Sequence, residues 1–316
     1  MFVTAIVLAS SLLSAASPAG EGVVEGIVLR AAGQTPLPGA EVVLRAKIGG
    51  QLLPVAETTA DARGRFCFRH LIDDGTCIYL PGANHDGIHY PGPGVRLSSP
   101  RQRAEVRLTV YDTVAFPNPL VVRRHTITLH PEPGVLHVTE SMLIDNPAAA
   151  CYVGRTARKG AEPVTLRLAI PAGFERVTFD SEFFGRRFSL AGGDLVTGVP
   201  WPPGRRELTF SYTLPTPRRQ SVWQRPLDLP SAEVRVSIRA DSPPEAICNL
   251  TPVPLVNKQE IAFESGNRTL EAGYPLYVEL GRLPVSPMKY APAGAMAALA
   301  GLIVLTTLGV ARSRRS

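Results

Sequence analysis

Residues 59–71 read Thr59-Ala60-Asp61-Ala62-Arg63-Gly64-Arg65-Phe66-Cys67-Phe68-Arg69-His70-Leu71, and the reading of this run decides the fold. Asp61 and Gly64 stand at the first and fourth places of a stretch with type I turn preferences. Phe66 and Phe68 follow two residues apart, so on an extended strand they share one face, and that face is expected in the core. A further turn at Asp73-Asp74-Gly75 leads into Cys77-Ile78-Tyr79-Leu80. Short strands punctuated by turns, with no helical period between them, predict a small antiparallel sandwich.

The same rhythm extends toward the N-terminus. Val23–Arg30 is β-rich, and Leu37-Pro38-Gly39-Ala40 is a turn feeding Glu41-Val42-Val43-Leu44. Taken in order, Gly26-Ile27-Val28, residues 37–42, residues 59–68, Leu71 and Gly75 through Leu80 resemble the carboxypeptidase regulatory-domain-like family. The resemblance covers residues 21–112 and implies a seven-stranded, prealbumin-like β-sandwich. It implies support or recognition rather than catalysis, since such modules usually serve as accessory or stalk domains, and a shared fold says little about activity.

Two side-chain sets in this first domain invite chemistry. Cys67 and Cys77 lie on what read as consecutive strands, a hairpin spacing suited to a disulfide; Cys151–Cys248 would then follow by elimination, and four separate thiols remain the alternative. His85-Asp86-Gly87-Ile88-His89-Tyr90 sets two histidines four apart around an aspartate. On a strand they would sit two pleats apart, too far for an easy chelate. Gly87, Pro91 and Pro93 favour a rim loop with solvated histidines, so His85, Asp86 and His89 are read as candidates for ligand contact rather than metal binding.

Beyond Phe116-Pro117-Asn118-Pro119, read as a linker, residues 113–283 continue the β pattern, and no family resemblance extends into them. Leu120–His130 and Val135–Asp145 flank the turn Pro131-Glu132-Pro133-Gly134. Leu136, Val138, Met142 and Ile144 share one face of the second strand, which is expected to pack inward. Further runs cover Val164–Ile170, Arg176–Phe179, Arg186–Leu190, Leu195–Val199, Glu207–Leu214, Ala232–Arg239, Glu260–Glu264, Thr269–Ala272 and Tyr277–Leu280. They predict an immunoglobulin-like sandwich, with a split near residue 225 left open.

Catalytic signatures are sparse. His137-Val138-Thr139-Glu140 spells HxxE, but residues three apart on a strand face opposite ways, and His137 is the last histidine, so no third zinc ligand follows. The sequence has no GxSxG elbow, phosphate loop, GxGxxG or HExxH. Asp180, Glu182 and Asp194 suit turns better than a glycosidase pair. In the aromatic set Phe174, Phe179, Phe183, Phe184, Phe188 and Trp201, alternating members read as core. Phe183-Phe184 before Gly185 reads as an exposed loop tip and a contact candidate. Neither a catalytic residue nor a cofactor is expected.

The ends set the expected location. Phe2–Ala15 is apolar apart from Thr4 and a few serines, and small residues follow, so residues 1–19 read as a signal peptide, although no Lys or Arg precedes the run. Ala291–Ala311 is 21 residues without charge. At about 1.5 Å per residue it crosses a ~30 Å hydrocarbon layer, and Arg312, Arg314 and Arg315 stop it. The remaining divisions are a domain at 20–112, a β region at 113–283, a proline-containing tether at 284–290 and a basic cytoplasmic tail at 312–316. The net charge of +6 includes the three tail arginines, and no basic run alternates with aromatics, which argues against nucleic acid. Thirty prolines and 28 glycines spread along the chain suit short strands and turns. Lysine occurs only at 47, 159, 258 and 289, an arginine bias that hints at a GC-rich bacterial genome.

The expectation is therefore an all-β, non-catalytic binding or scaffold protein. It would be held in the cell membrane by one helix, with its ectodomain periplasmic or extracellular, and its partner would be an envelope protein or a carbohydrate. The alternatives are an assembly or maturation factor for an exported complex and a metal-dependent hydrolase using the 85–89 stretch.

Overall fold

Alternation of inward and outward residues governs the long strands at 121–132, 135–146 and 204–215, and the chain is all-β, with one turn of 3₁₀ helix at Ala32–Gln34 and no α-helix among the described residues. The computed structural model describes residues 21–156, 161–180, 188–216, 221–241, 245–254, 259–281 and 283. The signal peptide (1–19), tether, membrane helix (291–311) and tail expected from sequence lie outside them. Among the described residues no helix is long and apolar enough to cross a membrane. The chain divides into two compact units, Met1–Thr113 and Val114–Ser316.

The first unit holds β1 (Gly22–Arg30), β2 (Thr35–Pro36), β3 (Glu41–Ile48), β4 (Gln51–Thr59), β5 (Arg65–Leu71), β6 (Asp74–His85), β7 (Ile88–Pro91), β8 (Val95–Ser98) and β9 (Arg103–Val110). In one sheet β1 pairs β2 and β5 antiparallel and β9 parallel; the other runs β4-β3-β6-β7 with β8 also on β6. Phe66 and Phe68 are buried, as their spacing predicts, with Val24, Val28, Val106 and Leu108 on the same sheet and Val42, Leu44, Cys77 and Tyr79 on the other. Nine strands stand where the family resemblance implies seven. Part of the excess is the two-residue β2, and part is β7, which pairs back on β6. The turn at 61–64 closes by a hydrogen bond from the Gly64 N–H to the Asp61 carbonyl at 2.9 Å, while the Asp61 carboxylate accepts from the Arg63 and Arg65 N–H groups at 2.8 Å.

In the second unit the main sheet runs β17 (Glu175–Phe179), β20 (Gly204–Pro215), β12 (Val135–Asn146), β11 (Val121–Glu132), β22 (Val234–Arg239), β25 (Glu260–Glu264) and β24 (Thr251–Val253). A second sheet orders β21 (Ser221–Pro226), β26 (Pro275–Leu280) and β23 (Ala246–Cys248), and a third orders β16 (Leu166–Leu168), β19 (Asp194–Thr197) and β18 (Ser189–Ala191). Two-residue strands β10 (Thr113–Val114), β13 (Cys151–Tyr152), β14 (Arg155–Thr156) and β15 (Pro163–Val164) complete the set. The hairpin β11–β12 turns on Pro133-Gly134, with Gly134 at a φ of +85° that a side chain would resist. One hydrophobic cluster runs from Leu120 to Leu283, and β11 on one side of residue 225 pairs with β22 on the other.

Candidate functional site

The inner face of β12 reads Leu136, Val138, Glu140, Met142, Ile144, so a carboxylate occupies the middle of an apolar stripe. Its register partners are apolar, Ile127 on β11 and Phe210 on β20. The polar neighbours sit on the diagonals: His125, two residues before Ile127, and Tyr212, two after Phe210, positions within reach of long side chains across a sheet. From the second sheet, β21 sends Trp223 and Arg225 onto this face, and Asp228 follows in the connecting segment.

These groups satisfy one another closely. Arg225 Nη1 donates to both Glu140 oxygens at 2.8 Å, Tyr212 Oη donates to Glu140 Oε1 at 2.9 Å, and His125 Nε2 lies 2.9 Å from Glu140 Oε2. Trp223 Nε1 donates to Tyr212 Oη at 3.1 Å. Arg225 Nη2 donates to Asp228 Oδ2, and Asp228 Oδ1 accepts the Ala169 N–H at 2.8 Å. None of the charged side chains is more than 5% exposed. The contact with Glu140 places a proton on His125 Nε2, and Nδ1 of that ring is buried without a hydrogen-bond partner.

Electrostatics follow from this enclosure. Burial alone drives the Glu140 carboxyl up, but Arg225, then His125 and Tyr212, outweigh it and hold the group down at about 2. Burial disfavours charge on Arg225 as well, yet Glu140 and Asp228 more than offset it, and the guanidinium stays protonated. Burial pushes Asp228 above the usual carboxylate range despite Arg225, and burial together with Glu140 pushes the Tyr212 phenol up. A carboxylate held near 2 is a weak base at neutral pH, and here no face of it meets solvent. The array is built to join β12 to β21 across the core.

The residues singled out by sequence lie elsewhere. Asp86-Gly87 is the two-residue turn of the β6–β7 hairpin, with φ of +49° and +75°, the combination of a type I′ turn, so the expected rim loop is a tight hairpin. His85 pairs with Ile88 and His89 with Asn84, which puts the two histidines on opposite faces. His89 Nδ1 lies 2.8 Å from Asn84 Oδ1, and burial, then Arg45, lowers its pKa. His85 Nε2 is 3.6 Å from Asp86 Oδ2. Among the described residues no group of three or more His, Cys, Asp or Glu side chains is placed to hold a metal ion.

The Cys67–Cys77 bridge, one of the two readings that the spacing left open, is not formed, and none of the four cysteines is in a disulfide. Their strands are consecutive in sequence but belong to different sheets. Cys67 alternates with buried Phe66 and Phe68 and so faces outward, whereas Cys77 faces the core. Phe183, Phe184 and Glu182 lie outside the described residues. Phe179 stacks on Phe188 at 4.2 Å between ring centroids and meets Phe210 at 5.8 Å, and Trp201 is buried. Asp194 pairs with Arg167 at 2.8 Å. In the HxxE run Glu140 points inward and His137 outward.

No protein-family model matches the sequence, and no curated protein matches it. Among solved structures, native yeast LTA4 hydrolase is similar with a TM-score of 0.34 and 8% identity, over 54% of this chain and 30% of that one. The chain thus spans under a third of that protein, and a likeness of this extent carries no argument about function.

Proposed function

We propose that this chain is a membrane-anchored, extracytoplasmic binding or scaffold protein, non-catalytic in itself, whose partner is an envelope protein or a carbohydrate. The observation that carries the reading is the enclosure of Glu140, Arg225, Asp228 and His125: these four ionisable groups are spent on one another in the core, out of reach of a substrate. Enzyme sites need perturbed groups in a cleft. The likeness of residues 21–112 to carboxypeptidase regulatory-like modules points the same way. The apolar runs at 2–15 and 291–311, the latter followed by Arg312, Arg314 and Arg315, support export and anchoring.

Protease treatment of intact cells carrying the full chain tests this. Digestion of the β units from outside, with the anchor retained in membranes after alkaline extraction, is the expected result. Protection of the β units in intact cells, or turnover of ester, amide or glycoside substrates by the purified chain, would overturn it.

A further inference from the structure

The outward face of the β11–β12 hairpin carries two histidines in register. His130 and His137 are direct partners across the strands, and Glu132, two residues beyond His130, lies on the same face beside the turn at 133–134. Its carboxylate stands against both rings: Oε1 lies 3.5 Å from His130 Nε2, and Oε2 lies 3.4 Å from His137 Nε2. All three side chains are about half-exposed. No histidine follows His137 in the chain, yet the hairpin brings His130 and Glu132 to it from upstream.

The protons on these rings decide what fits between them. His130 Nδ1 lies 2.7 Å from the Arg239 carbonyl oxygen, which can only accept, so Nδ1 carries the proton and Nε2 of the neutral ring presents a lone pair. That lone pair faces a carboxylate oxygen, and two acceptors face each other stably only with a cation between them. A shared proton draws nitrogen and oxygen to about 2.7–2.9 Å, shorter than either contact to Glu132. Two ligands about 2.1 Å from one ion at a tetrahedral angle stand about 3.4 Å apart, which matches both contacts. A bond from Nδ1–H to a backbone carbonyl is also what orients metal-bound histidines. The Arg239 guanidinium is engaged by Glu260 at 3.4 Å, which offsets its charge beside the site. The three groups are not a finished ligand set, because the rings meet different oxygens of the carboxylate and their centroids are 6.4 Å apart. Closing it takes rotation of the Glu132 and His137 side chains in solvent, with His130 fixed by its carbonyl contact.

We propose that His130, His137 and Glu132 form a site for one divalent transition metal ion of the zinc class, two imidazole nitrogens and a carboxylate oxygen holding the ion and water completing its sphere. Imidazole nitrogen selects such borderline ions over magnesium and calcium, which prefer oxygen alone. The ion clasps the turn end of β11–β12, a structural role that goes beyond the binding role proposed above and does not rest on it.

The test uses metal-stripped full-length protein in detergent, purified without a histidine tag and carrying Cys67→Ser and Cys248→Ser so that neither accessible thiol competes. A calorimetric titration with zinc near neutral pH should show one ion bound per chain, unaffected by magnesium and weakened by acid as the imidazoles take up protons. His137→Gln, which leaves the Arg239 contact in place, and Glu132→Gln should each bind at least about tenfold more weakly. His85→Gln/His89→Gln, a control on the other histidine pair, should bind as the parent does. Zinc should raise the melting temperature of the parent but not of His137→Gln or Glu132→Gln, whose zinc-free melts should match the parent's. Absence of stoichiometric uptake, parental affinity in either ligand variant, or loss of binding in His85→Gln/His89→Gln would each overturn the proposal.

Discussion

Arg225 Nη1 donates to both carboxylate oxygens of Glu140, each at 2.8 Å, and this pairing ties the second sheet of the larger unit to its main sheet. The two residues are 85 apart in sequence. Glu140 has only apolar neighbours in its own row, so the charge that satisfies it must come from the layer above.

Removing one partner should therefore cost far more than a surface pair would. Arg225→Ala leaves Glu140 and Asp228 buried without their common counter-ion, and a loss of about 3–5 kcal/mol is expected. Urea unfolding followed by tryptophan fluorescence measures it, Trp223 being a near neighbour of Arg225. An Arg225→Ala protein as stable as the parent would show that the pair is not what joins the sheets.

Acid should weaken this unit through Glu140. Its folded pKa is depressed from the ordinary 4.5 to about 2, so its contribution is fully present above 4.5 and is lost as pH falls through about 2. Asp228, raised by burial, has the opposite sign and gains on acidification. Glu140→Gln should be less stable than the parent at pH 7 yet show a flatter decline in stability between pH 4.5 and pH 2. Parallel declines in the two proteins would assign acid sensitivity to other carboxylates.

The thiols report on the fold without mutation. Unfolded without reductant, the protein should take up four alkyl groups. In the native state Cys67 and Cys248, both half-buried, should react first and Cys77 and Cys151 should be protected. Burial raises the Cys248 thiol, which should slow its alkylation near neutral pH. Intact-mass measurement over time distinguishes these cases, and fewer than four groups after unfolding would reveal a disulfide.

Gly26 faces the core of the first unit, where a Cβ would fall onto the Val106 carbonyl oxygen and lie 2.9 Å from the Phe66 ring. Backbone cannot give way as a flexible side chain does. Gly26→Ala should destabilise this unit by about 1–3 kcal/mol or more, the range for overpacking. A thermal melt with a wild-type midpoint would mean that β1 and β9 can separate at this point.

Local pattern is readable because a strand alternates sides every residue. The burial of Phe66 with Phe68, the 61–64 turn and the inward stripe at 136–144 all follow from spacing alone. The same stripe already contained the missed site: Glu140 falls on the inward beat between Val138 and Met142, and a carboxylate there demands a buried partner. Its partner was hidden because Ser221–Pro226 is short and inverts the usual pattern, with Arg225 on its inward beat beside Trp223 and Val222 on its outward one.

By itself the sequence determined many of the strands, several of the turns, and which side chains on a strand face together, since each depends on neighbours a few residues away. Tertiary structure alone decided which sheet each strand joins and in what register. That choice separated Cys67 from Cys77, put His85 and His89 on opposite faces and brought Arg225 onto Glu140. The physical reason is that sheet membership is settled by hydrogen bonds and core contacts between segments distant in the chain, and strand alternation holds no information about which segments will meet.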